Sequence, residues 1–292
     1  MRGLMVLSTV VVLFFAAVFA LTVGTDGKMG DILSLGGKIG IVEVKGVISE
    51  SDDVVDALKT FAKSPTVKAV VVRIESPGGG VAPSQEIYQA IRELRKDKPV
   101  IASMGGVAAS GGYYIASACD TIMANPGTLT GSIGVIMELG NVEGLLQKLG
   151  VQPEVLKAGA YKDMGSLVRP MTEAERGLFQ EMIDSVHTQF ITAVAAGRGM
   201  NKDQVRGLAD GRIFSGEQAK VAGLVDELGG LEDAIALAQS KAGLEGEPHT
   251  THARSSREPW WWKLLFSLVP VGPFSSARAL GLQIVYDGPF LR

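Results

Sequence analysis

The chain has 292 residues, 46% of them hydrophobic and 20% charged, with 37 glycines and a formal net charge of -3. That balance excludes a disordered chain, a collagen-like repeat and the basic footprint of a nucleic-acid binder. Cys119 is the lone cysteine, which excludes an intrachain disulfide and a thiolate metal cluster, and no HExxH, GxxxxGK[ST] or GxGxxG pattern occurs.

From Gly3 to Val23 the chain carries no charge, about the length a bilayer-crossing helix requires. Residues 1–24 therefore read as an N-terminal membrane anchor, with a cleavable signal peptide as the alternative. Arg2 and the terminal amine precede the stretch and Asp26, Lys28 and Asp31 follow it, a weak charge bias toward a cytoplasmic N-terminus and an extracytoplasmic body. Residues 25–37 are glycine-rich and polar and read as a linker.

The body is predicted over residues 38–245. Strands are expected at Ile39–Val44 and Val67–Ile74, and helices over Asp52–Lys63 and Ser84–Lys96. Short apolar runs at Val100–Met104, Thr121–Ala124, Ile133–Ile136 and Glu154–Lys157 continue the alternation, so the class is α/β with a sheet covered by helices. Thr172 is a plausible N-cap for a long helix to about Ala196, with Leu178, Met182, Val186 and Phe190 spaced four apart. Shorter helices are expected at Lys202–Leu208, Ser215–Val221 and Leu231–Lys241. Residues 246–259 are polar and read as a linker to a C-terminal segment, 260–292.

Three glycine-rich loops adjoin strands: Ser76–Gly80, Gly105–Gly112 and Gly131–Gly134. Glycine lets backbone N–H groups approach a ligand closely, although any one such loop can equally be a tight turn. Ser110 sits where a strand runs into the apolar segment Tyr113–Ala118, a position that suits a nucleophile at a helix start. A serine hydroxyl needs a base. His187 falls inside the long helix and His249 and His252 fall in the polar linker, so a Ser-His-Asp triad is not expected. Neither GxSxG nor SxxK occurs. Lys162 stands in a small-residue turn, Gly159–Ser166, and is the candidate base; the alternative is a solvated lysine paired with Asp163. A base must be uncharged, which asks for about 4 kcal/mol of bias against the ammonium.

Taken in order, Ser76-Pro-Gly-Gly-Gly80, Ala109-Ser110-Gly-Gly112, Gly131-Ser-Ile-Gly134 and Tyr161-Lys162 resemble the bacterial signal peptide peptidase A family in its short, single-repeat form, over residues 38–242. The resemblance implies a fold similar to Clp protease and crotonase, a spiral of ββα units. It implies a Ser/Lys dyad: Ser110 the nucleophile, Lys162 the base, Ser132 orienting the lysine, and the N–H groups of Gly79 and Gly111 an oxyanion hole. It further implies a homo-oligomeric ring in which the lysine can come from a neighbouring copy, an inner-membrane location in a bacterium, and apolar peptides such as remnant signal peptides as substrates. No cofactor, metal or nucleic acid is expected.

The alternatives are a stomatin-associated membrane Ser/Lys protease, a crotonase-like acyl-CoA enzyme, and a silent membrane scaffold. Pro259–Pro270, with three tryptophans, reads as a segment for a membrane surface or a neighbouring copy. Leu280–Tyr286 is apolar and strand-like, and could lie extended in a cleft as an internal substrate mimic.

Overall fold

The computed structural model describes residues 37–253 and 283–285; the expected membrane stretch and the tryptophan-rich segment lie outside the described residues. Among the described residues no helix is long and apolar enough to cross a membrane.

The body is a mixed α/β fold that starts with β1 (Lys38–Ile48), α1 (Asp52–Lys63), β2 (Val67–Gly80), α2 (Val81–Leu94) and β3 (Val100–Ala109). The three strands are parallel, in the order β3-β2-β1. Alternate residues of β2 enter two different cores. Val70, Val72 and Ile74 pack with Ile87 and Ile91 of α2 on one face. Ala69 and Val71 pack on the other face with Ala234, Ile235 and Ala238 of a later helix, α8 (Leu231–Lys241). Burial on both faces explains why β2 reads as a nearly unbroken apolar run.

β3 changes partner half-way. Ile101–Met104 pairs with β4 (Thr121–Ala124), and Val107–Ala109 pairs with β5 (Leu129–Gly131), both parallel. Between β3 and β4 in the chain stands the short helix α3 (Gly111–Ala116), all six of whose residues are buried. After α4 (Glu143–Lys148) comes the long helix α5 (Glu173–Arg198). Its start is fixed by a capping box, Thr172 with Glu175, and its end by Gly199 at φ 63, a left-handed cap that glycine tolerates. α6 (Lys202–Leu208), β6 (Ile213–Ser215), α7 (Gly216–Val221) and β7 (Glu227–Leu228) precede α8.

Several sequence expectations change. Among the described residues Ile133–Ile136 and Glu154–Lys157 form no strand, and Ile136 makes an isolated bridge that does not extend into a ladder; short apolar runs do not distinguish the two outcomes. The expected apolar stripe of α5 is buried only in its second half: Phe190, Ile191 and Val194 are in the core, whereas Leu178 and Met182 are 40% and 37% exposed. Within the polar stretch 246–259, Thr250–His252 forms β8, parallel to the edge strand β1, held by backbone hydrogen bonds that polarity does not signal. Near the C-terminus, Gln283–Val285 forms β9, antiparallel to β2 at Gly78–Gly80.

Candidate active site

Ser110 follows β3 directly and is the N-cap of α3, 1% exposed, with φ 52 and ψ -116. Its N–H donates to the Gly131 carbonyl at 2.8 Å and its carbonyl accepts from Tyr114 N at 2.8 Å. A non-glycine residue at such a φ costs on the order of 1–3 kcal/mol, so the sharp turn survives only because both sides of it are pinned.

Ser132 stands beside it. Ala109 and Gly131 are register partners on β3 and β5, so the next residue on each strand is a serine. Ser132 is 8% exposed, has φ 51, and donates its N–H to Arg212 O at 2.8 Å. Among the described residues these two serines are the non-glycine positions with positive φ.

Gly79 and Gly111 meet on the other side of Ser110. A Cβ on Gly111 would lie 2.6 Å from Ser84 Oγ and 3.2 Å from Gly79 N; one on Gly79 would lie 2.2 Å from the Ile48 carbonyl oxygen. Both positions therefore require glycine, and bare backbone lines this side of the turn. The Gly79 strand is also where β9 adds, with Ile284 opposite Gly79 and Val285 opposite Gly78. The Gly105–Gly106 part of the second glycine loop instead helps hold a carboxylate, since Gly106 N and Val107 N donate to Glu75 at 2.9 and 3.1 Å.

Lys162 forms no hydrogen bond with these groups. It is exposed on its turn, and within the chain its side chain makes no hydrogen bond or ion pair with a described residue. It does not pair with Asp163, which instead binds Lys157 and Arg169, with Arg169 Nε 2.9 Å from Asp163 Oδ2. Arg169 also donates to Glu175, with Nη1 2.9 Å from Oε2. Glu175 Oε2 in turn accepts from Thr172 N at 2.9 Å. A chain of charges thus ties the turn bearing Lys162 to the capping box of α5. Hydrogen bonds from Arg169, with help from Thr172, hold the Glu175 carboxyl down at about 2. Those from Arg169 and Lys157 hold Asp163 well below the usual carboxylate range.

Sequence reasoning missed Arg169 and gave His187 no place in the site. Only the sharing of two carboxylates marks Arg169. His187 lines a cavity that also contains Ser132. Among the described residues no group of three or more His, Cys, Asp or Glu is placed to hold a metal ion. Burial pushes the Cys119 thiol up.

Residues 92–245 match the family model of peptidase family S49, and residues 28–128 match that of Clp protease. A protease-named protein of Synechocystis sp. is 48% identical over 210 residues, which are 71% of this chain and 76% of that protein. A protein of Enterococcus faecium that bears the name signal peptide peptidase SppA is 44% identical over 179 residues, 61% of this chain and 52% of its own length. Protease 4 of Salmonella typhi is 36% identical over 220 residues, 72% of this chain but 35% of that protein. The chain thus spans most of the cyanobacterial relative, about half of the second and about a third of the third.

Proposed function

This chain belongs to peptidase family S49, a family of serine peptidases, and from that premise we propose that it is a membrane-anchored endopeptidase cleaving extended apolar peptides, signal-peptide remnants among them, with Ser110 as nucleophile and Lys162 as base. The observation that carries the peptide reading is β9. A three-residue strand of the chain lies antiparallel along Gly78–Gly80, so this edge accepts a peptide main chain. A pocket for an acyl-CoA thioester has no use for such a ladder.

In this mechanism the uncharged Lys162 amine takes the Ser110 hydroxyl proton as Oγ bonds to the scissile carbonyl carbon. The carbonyl oxygen gains the negative charge and meets the N–H groups of Gly79 and Gly111, each such donor being worth about 3–4 kcal/mol. The lysine ammonium then returns its proton to the departing amine, and water later releases the acyl group from Ser110. Ser132, one register step away, holds the amine in line.

The lysine reaches the serine from a neighbouring copy. Two observations support this. No hydrogen bond joins Lys162 to Ser110 within the chain, and the arm around it leaves Leu145, Leu149, Leu156 and Tyr161 exposed, Leu156 to 91%. Such an apolar face suits burial against a second copy of the same chain. The uncharged stretch 3–23 supports anchoring in a bacterial inner membrane, with the N-terminus cytoplasmic and the catalytic body outside.

Two measurements test this. A serine-directed fluorophosphonate should label Ser110 in the assembled protein and not in K162A; equal labelling overturns the dyad. Co-assembled S110A and K162A chains should regain peptidase activity, and continued silence overturns the shared site.

A further inference from the structure

Among the described residues, His187 Nε2 is the buried side-chain polar atom with no hydrogen-bond partner. Such an atom in a folded protein calls for a partner that arrives later. His187 lies on α5 and lines a cavity of about 450 Å³ together with Ser132, Val135, Ile183, Asp184 and Asp210. The packing of α5 on α3 places it further. Gly197 abuts the Ser117 carbonyl, where a Cβ would come within 1.9 Å, and the Phe190 ring is 4.9 Å from that of Tyr114. The two helices therefore run the same way, and one turn before Phe190 leads back toward the Ser110 end of α3.

Building on the Ser110 and Lys162 reading, we propose that His187 is a positioning residue whose Nε2 accepts a hydrogen bond from the lysine amine as that amine stands against Ser110 and Ser132. An uncharged amine has one lone pair and two N–H groups. The lone pair takes the proton of Ser110, so both N–H groups need acceptors once water is excluded, and each left unpaired costs about 1–3 kcal/mol. Ser132 Oγ supplies one acceptor. With its proton on Nδ1, the neutral imidazole supplies the other through Nε2.

The remaining charged groups around the cavity stand at its exposed surface. Asp210 is held by Arg212, and Asp184 accepts from Gln180 at 2.8 Å. Neither carboxylate is therefore a buried acceptor for the amine, and a hydroxyl or imidazole acceptor favours the ammonium less than a carboxylate would. Val135 and Ile183 offer an apolar wall to the methylenes of the lysine.

The test compares H187F, H187L and H187Q in the full, assembled chain, by peptide turnover across pH and by the rate of fluorophosphonate labelling at Ser110. The Phe and Leu variants should lose about tenfold or more in kcat and in labelling rate, the scale of a misplaced catalytic group, with KM little changed. Their acid limb should move to lower pH, because the ammonium, with three donors, loses more than the amine. H187Q, whose amide oxygen can accept, should recover most of the rate.

Labelling at the wild-type rate with an unshifted profile in H187F and H187L overturns the inference, as does H187Q no better than H187F. Reading two non-accepting variants side by side separates a packing fault in one from loss of the acceptor in both. Full labelling of K162A would instead overturn the dyad itself. A silent K162A beside normal Phe and Leu variants removes His187 alone.

Discussion

Ser110 and Ser132 leave adjacent parallel strands at the same register step and turn with nearly the same φ, 52 and 51, while the Ser110 N–H bonds to the carbonyl of the residue before Ser132. Two serines are thereby held side by side by backbone geometry. If Ser132 orients the amine, S132A should lower kcat by about tenfold to a hundredfold with KM nearly constant. Steady-state turnover of a fluorogenic peptide checks this; a kcat equal to wild type would leave Ser132 a turn residue only.

Gly111→Ala places a methyl group 2.6 Å from Ser84 Oγ and 3.2 Å from Gly79 N, crowding the two N–H groups meant for the oxyanion. Activity should fall by about a hundredfold or more while the fold persists. Gly79→Ala meets the Ile48 backbone at 2.2 Å and should also lower the melting temperature, since β1 must shift. Calorimetry beside activity separates the two variants.

Arg169 joins the Lys162 turn to the start of α5 through Asp163 and Glu175. R169M should release that turn and reduce kcat. Both carboxyls are held below their ordinary values, so this clamp contributes fully above the ordinary carboxylate range and is lost only as pH falls toward about 2, where Glu175 takes its proton. The ratio of R169M to wild-type activity should therefore stay flat from about pH 5 to 9. A ratio that approaches one at pH 5 would show the clamp already open there.

Stopping the chain after Ala253 keeps β8 and removes β9 from Gly78–Gly80. If β9 stands where substrate stands, KM for short peptides should fall several-fold, and a peptide covering residues 280–286 should inhibit the shortened enzyme competitively. An unchanged KM together with no inhibition would mean that β9 and substrate use different edges.

Cys119 is 1% exposed and burial pushes its thiol up. Thiol-directed reagents should leave the native enzyme active and unmodified, and should label Cys119 only after unfolding. Inactivation of the folded protein by such a reagent would contradict this.

What neighbouring residues dictate is legible in the sequence. The apolar run of β2, the Thr172 cap with Glu175 three residues on, and the glycines flanking Ser110 express demands met within a few residues of chain: burial on both faces, orphan N–H groups, room at a sharp turn. Long-range contacts carried the rest. Ile133–Ile136 looked like a strand and made no more than an isolated bridge at Ile136, whereas polar Thr250–His252 became one because β1 had a free edge. Ser132 owes its place to the pairing of β3 with β5, the Lys162 turn to a guanidinium shared by two carboxylates, and His187 to the packing of α5 on α3. Hydrogen-bond ladders and charge clamps join residues far apart in the chain, so their consequences emerge only when the segments meet in space.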